Sequence, residues 1–251
     1  MNDIRIIEIC AGTIESAIAA NRGGAHRIEL CSALSEGGLT PSEAMIHYSC
    51  RNLKLKVFVL IRPRTGDFNY TRAEFDIMKA DILTAKKNGA HGIVTGMLNT
   101  DGTVDTCRMK DLIEMAAPMQ VTFHRAFDMV RNPYEALEAI IELGCHRILT
   151  SGQANKAMEG AEIIKQLIEK AAGRIIIMPG SGINAGNILQ LAEATGASEF
   201  HLSASRSIPG RMSYKKTEVY MAGKGLDEFA TVQTDRLMVE EIVKLCSAKA
   251  N

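Results

Sequence analysis

Apolar and polar positions alternate in short bursts along this chain, and longer stretches of helical periodicity run between the bursts. Strand-like runs rich in Ile, Val and Phe fall at Arg5 to Cys10, Arg27 to Cys31, Lys56 to Ile61 and Gly92 to Thr95. Four more follow at Gln120 to His124, Arg147 to Thr150, Arg174 to Met178 and Glu199 to Leu202. Strands alternating with helices predict βα units and a parallel sheet. One phrase recurs: Gly24-Ala25-His26-Arg27-Ile28-Glu29, Gly89-Ala90-His91-Gly92-Ile93-Val94, Gly144-Cys145-His146-Arg147-Ile148-Leu149 and Gly196-Ala197-Ser198-Glu199-Phe200-His201. Each copy puts a glycine where a helix stops, because a left-handed residue there carries no Cβ penalty. The copies lie roughly 50–65 residues apart, about twice one βα unit. Four double units predict an α/β fold, a single (β/α)8 TIM barrel forming one domain over 1–251.

Helix starts are marked as well. Thr40-Pro41-Ser42-Glu43 reads as a capping box with proline at the first helical position, and Thr71-Arg72-Ala73-Glu74 as a second box. Asn132-Pro133-Tyr134-Glu135 places Asn at the cap. The last helix is expected from Thr234 to Ala248. Before it, residues 203–233 form a long connection rich in Gly, Ser, Lys and Tyr. A link of that length is a lid, an interface arm or a disordered loop.

Composition narrows the function classes. The 29 basic and 29 acidic residues cancel and form no basic stripe, which argues against nucleic acid and anionic membranes as partners. Few aromatics and no Trp leave little surface for base stacking. No apolar run approaches the ~20 residues of a membrane span, and the start has no signal-peptide h-region. The six cysteines, Cys10, Cys31, Cys50, Cys107, Cys145 and Cys246, form no C-x-x-C pair, so thiols in the cytosol are expected.

In a barrel of this type chemistry sits at the carboxyl ends of the strands. Alternation puts Ile7 and Ile9 on one face of the first strand and Glu8 and Cys10 on the other; Glu29 and Cys31 share a face of the second. With the apolar faces against the helices, both acids point into the barrel, and the thiols stand above them. Inward carboxylates are costly unless paired, hydrated or bound to a cation. His26, His91 and His146 precede strands and fall at the stability end, while His47 lies in a helix. His124 and His201 lie near the carboxyl ends of their strands. His124 is the candidate for proton transfer, or else a hydrogen-bonded barrel histidine.

Anion-binding candidates gather at the same rim. Arg62 and Arg64 follow the third strand, and Arg125 and Asp128 follow the fifth. Ser151 follows the sixth, Gly180-Ser181-Gly182 the seventh and Ser203 the eighth. Arginine offers a donor fork to carboxylate or phosphate. The glycines either bring backbone N–H groups to an anion or merely allow a tight turn. Cys10 and Cys31 end adjacent strands about 5 Å apart. They either hold a soft ion such as Cu(I) in two-coordinate fashion or sit buried as small hydrophobes.

Several long segments resemble the CutC copper-homeostasis family. They are Ile7 to Gly12, Arg27 to Cys31, Ser35 to Ser42, Ile61 to Arg64, Thr122 to Asp128, Arg147 to Gln153 and Ile177 to Gly182. The resemblance runs from about residue 5 to 205, with Ser181 where the family often has a third glycine. It implies a cytosolic (β/α)8 barrel that binds copper, and it favours Cys10 and Cys31 as the ligands. The competing reading is a TIM-barrel isomerase or lyase on a small anionic substrate, a sugar phosphate being one example. There Glu8, Glu29, His124 and Asp128 are catalytic, and Arg62, Arg64, Arg125, Ser151, Gly180, Ser181, Gly182, His201 and Ser203 hold the anion. A third reading is a catalytically idle scaffold. The expected ligand is a copper ion, a small anion or both, with no organic cofactor, in a homo-oligomer.

Overall fold

A computed structural model describes residues 5–216, 218–219 and 227–247. Its eight inner strands are β1 (Ile6–Ala11), β2 (Arg27–Leu30), β3 (Lys56–Leu60), β4 (Gly92–Thr95), β5 (Gln120–Phe123), β6 (Arg147–Thr150), β7 (Ile176–Pro179) and β8 (Glu199–Leu202). All neighbours are parallel, in the order β7-β6-β5-β4-β3-β2-β1-β8. A parallel bridge between Gly180 and His201 joins the two ends and closes the ring. The helices are α1 (Ile14–Arg22), α2 (Glu43–Asn52), α3 (Arg72–Lys87), α4 (Thr106–Ala116), α5 (Pro133–Glu142), α6 (Ala161–Ala171), α7 (Ile188–Thr195) and α8 (Arg236–Ser247). This is the (β/α)8 barrel that the repeat predicts.

The two faces of each strand separate two cores. Ile7, Ile9, Ile28 and Leu30 pack with the helices in the large outer core. Cys10, Cys31, Phe58, Leu60 and Val94 form a small cluster of their own, on the opposite face inside the ring. The recurring histidines tie the bottom together. His26, His91 and His146 each donate a backbone N–H to Ile7, Val57 and Val121 respectively. In return, Nδ1 of each ring accepts the backbone N–H of the same residue at 3.1–3.2 Å. Three of the four repeated phrases thus clamp an odd-numbered strand to the next, at the amino ends.

Some boundaries move. Ser42, not Thr40, caps α2 by accepting from Met45, and the first capping box does not form. Thr40 Oγ1 instead accepts the backbone N–H of Arg62 at 3.0 Å. The box at Thr71 and the cap at Asn132 form as expected. β7 starts at Ile176, because Arg174 turns away to pair with Glu138 at 2.7 Å. Thr234 ends a strand rather than starting the last helix, and Ala248 lies outside the described residues. The long connection carries an antiparallel hairpin, β9 (Ser205–Pro209) with β10 (Ala230–Thr234). Residues 217 and 220–226 of it are outside the described residues.

Candidate functional site

Strand parity carries a line of charged side chains up the barrel. On the floor, Arg27 donates to Glu8 through Nε and to Glu199 through Nη2 at 2.7 Å. Arg147 joins Glu199 at 3.1 Å and Gln120 at 3.0 Å. Both guanidinium groups lie over the Phe58 ring, 4.9 and 5.2 Å from its centroid. Every buried charge here has a partner, as burial requires. Burial alone would raise the Glu8 pKa, but Arg27 and then His201 outweigh it and lower it to about 2. The alternation in Arg27-Ile28-Glu29 puts Arg27 on the inward face with Glu29, at the amino end and away from the rim.

Above the floor, His201 bridges the acids. Nδ1 lies 2.7 Å from Glu8 and Nε2 lies 3.8 Å from Glu29. Burial opposes an imidazolium, yet Glu29 and Glu8 overcome it and raise the His201 pKa. Glu29 then meets the thiols: Cys10 donates S–H to Oε2 at 3.2 Å, and the Cys10 and Cys31 sulfurs are 3.8 Å apart. Burial raises the Glu29 pKa against the pull of His201. The Cys31 sulfur, burial and the Glu29 charge hold the Cys10 thiol well above its usual value. Cys10, Glu29 and Cys31 are all buried, with one ligand atom of each within 4.8 Å of the others. Two soft sulfurs beside a carboxylate form a donor set for a soft or borderline cation.

The model of the CutC family matches residues 5–206, four-fifths of the chain and every residue of this cluster. The chain belongs to the CutC family. It is 46% identical over 238 residues to a CutC family protein of Chromobacterium violaceum, covering 95% of this chain and 96% of that one. It is 47% identical over 231 residues to the human "Copper homeostasis protein cutC homolog", covering 92% and 85% respectively. The crystal structure of the CutC protein from Streptococcus agalactiae superposes with a TM-score of 0.76 at 32% identity, over 79% of this chain and 98% of that chain.

The remaining candidates of this CutC-family chain are placed less uniformly. His124 is 5% exposed, and its Nδ1 accepts the backbone N–H of Ala126 at 3.2 Å. Burial and the nearby Arg62 push its pKa down to about 3, which favours the neutral ring. Gly96 backs the ring, because a Cβ there would lie 2.7 Å from Nδ1. Arg62 is spent on loop carbonyls, those of Glu36, Gly38 and Gly66. Arg64 points into its own loop and pairs with Asp67 at 3.0 Å and Glu74 at 2.6 Å. Asp128 is a structural anchor, not a free carboxylate. It accepts from Arg125 Nε, Thr150 Oγ1, both the N–H and the hydroxyl of Ser151, and the Gln153 N–H. Arg125 and Ser151 belong to that anchor, 2.8 Å apart. Ser181 adopts φ +82° and turns its hydroxyl to the Asn155 carbonyl. Ser203 is engaged with Ser205 at 3.1 Å. Glu8 and Glu29 meet His201, and among the described residues no hydrogen bond or ion pair joins either acid to His124. Tyr70 escaped the sequence reading, because only the path of the loop after β3 brings it back to Arg62.

Proposed function

We propose that this protein binds one copper(I) ion as cargo on Cys10 and Cys31, with Glu29 as third donor, and serves copper homeostasis. The observation carrying this reading is the buried Cys10–Glu29–Cys31 group. Its support from relatives is the copper-homeostasis name of the human protein. The sulfurs, 3.8 Å apart, are closer than the ~4.6 Å that two opposed metal–sulfur bonds of about 2.3 Å would span. The simple two-coordinate expectation is thereby modified: a bent site completed by the Glu29 carboxylate matches the spacing better. The Cys10 S–H already points at Glu29, so loss of the thiol proton on metal binding leaves the sulfur and the carboxylate facing the same point. His201 and Glu8 hold the carboxylate from below.

The reading includes a cytosolic location, supported by free thiols at all six cysteines. No helix among the described residues is long and apolar enough to cross a membrane. It also includes assembly as a homo-oligomer, for which exposed Tyr48, Ile77 and Leu83 on α2 and α3 offer apolar contact, and light scattering is the check.

The test is an anaerobic Cu(I) titration against a chromogenic Cu(I) chelator. The expected result is one ion per chain, lost in Cys10→Ser/Cys31→Ser and weakened in Glu29→Gln. Equal affinity in the double variant overturns the reading.

A further inference from the structure

Apart from the thiol group, three buried polar atoms without a hydrogen-bond partner gather in one region of the rim: Nε of Arg62, the hydroxyl of Tyr70 and Nε2 of His124. The residues are 7%, 3% and 5% exposed. Buried polar atoms are nearly always paired, so three orphans together call for an explanation. They share a neighbourhood. The Arg62 guanidinium lies 5.4 Å from the centroid of the Phe68 ring, and that ring lies 5.0 Å from the His124 ring. Burial lifts the Tyr70 pKa to about 12, against the charge of Arg62 and the approach of its guanidinium to the phenol oxygen, which leaves the phenol proton without an acceptor. Burial and the same charge lower the pKa of His124.

All three orphans are donors. Because Nδ1 of His124 accepts from Ala126, a neutral ring carries its proton on Nε2. Arg62 Nε–H can only donate, and the phenol has a proton to give. The cluster is also short of negative charge. Arg62 Nη1 and Nη2 end on the neutral carbonyls of Glu36, Gly38 and Gly66, at 3.0, 2.9 and 3.1 Å. Arg27 and Arg147, the other arginines buried to this degree, each pair with a glutamate. Among the described residues Arg62 has no such ion pair. A buried cation ringed by unused donors fits an anionic acceptor.

We propose that Arg62, Tyr70 and His124 bind the carboxylate of a small organic acid, against the ring of Phe68. One guanidinium with two neutral donors balances a single negative charge, whereas a phosphate dianion would leave one charge buried and unpaired. The site is separate from the thiols but adjoins them. The Gly38 carbonyl takes Arg62 Nη1, and a Cβ on Gly38 would lie 3.7 Å from the Cys31 sulfur. None of the three residues is a proposed copper ligand, so the inference stands apart from the copper reading.

The test uses the full-length, metal-free protein with ¹⁵N-labelled histidine. Sodium acetate, inorganic phosphate and chloride are titrated at constant ionic strength, following the His124 Nε2–H resonance and the thermal unfolding midpoint. Acetate is expected to shift the resonance saturably and raise the midpoint; phosphate and chloride are expected to do neither. Arg62→Gln should abolish the response. Tyr70→Phe, which keeps the packing, should weaken acetate binding about tenfold or more. Its Cu(I) titration should match that of the parent chain. No saturable response, an unchanged acetate affinity in Tyr70→Phe, or phosphate binding more tightly than acetate each overturns the proposal. If Arg62→Gln does not fold, Tyr70→Phe alone decides.

Discussion

Glu8 and His201 are register partners across the seam between β1 and β8, and their side chains meet 2.7 Å apart inside the barrel. Through this contact the charged floor of Arg27, Arg147 and Glu199 connects to Glu29 and then to the Cys10 thiol. The barrel interior is thus one electrostatic column, in which removing a charge at one level disturbs the next.

Glu8→Gln tests the column. It leaves the buried Arg27 with one anionic partner instead of two and deprives His201 of the anion against Nδ1. Breaking a buried pair from one side costs about 3–5 kcal/mol. Urea unfolding should show a loss of that size. A loss below about 1 kcal/mol, as for an exposed pair, would count against the column.

His124 makes stability depend on pH. Its folded-state pKa is about 3, whereas an unfolded histidine titrates near 6.5. Between these values the unfolded chain takes up a proton that the folded chain refuses. Stability therefore falls as pH drops through this window, by up to about 1.4 kcal/mol per pH unit from this residue. His124→Asn keeps an acceptor for the Ala126 N–H and removes the titration. Denaturant midpoints measured from pH 7 to pH 4 should fall less steeply in the variant.

Copper affinity should rise with pH. The Cys10 thiol is held above its usual pKa and must lose its proton to bind a metal. Each proton displaced below the thiol pKa contributes about a tenfold gain in apparent affinity per pH unit. Chelator competition at pH 6, 7 and 8 measures the slope; a flat profile would mean that no thiol proton is displaced.

Asp128 should govern the loop after β6. Its carboxylate receives Thr150 at 2.5 Å, the Ser151 N–H at 3.0 Å and hydroxyl at 2.9 Å, and the Gln153 N–H at 3.2 Å. Asp128→Ala leaves several buried donors unpaired, a loss of about 2–4 kcal/mol. Amide hydrogen exchange should accelerate at residues 151–153 ahead of the barrel strands. Unchanged protection there would show that other contacts hold the loop.

The sequence by itself determined the barrel and the facing of its strands. Gly24, Gly89, Gly144 and Gly196 all adopt the left-handed φ, from 76° to 84°, that stops a helix, and an apolar strand follows each. Local rules suffice there, because a glycine's freedom and a period-two alternation act within a few residues. The same parity put Glu8, Glu29, Cys10 and Cys31 on the inner face. Only the tertiary structure decided what those side chains do. Which acid meets which cation depends on the register of β8 against β1 and on side chains brought together from residues 8, 27, 147, 199 and 201. Whether His124 is charged depends on burial and on an arginine 62 positions earlier in the chain. Desolvation and Coulomb energy are set by distance in space, and distance along the chain carries no measure of it.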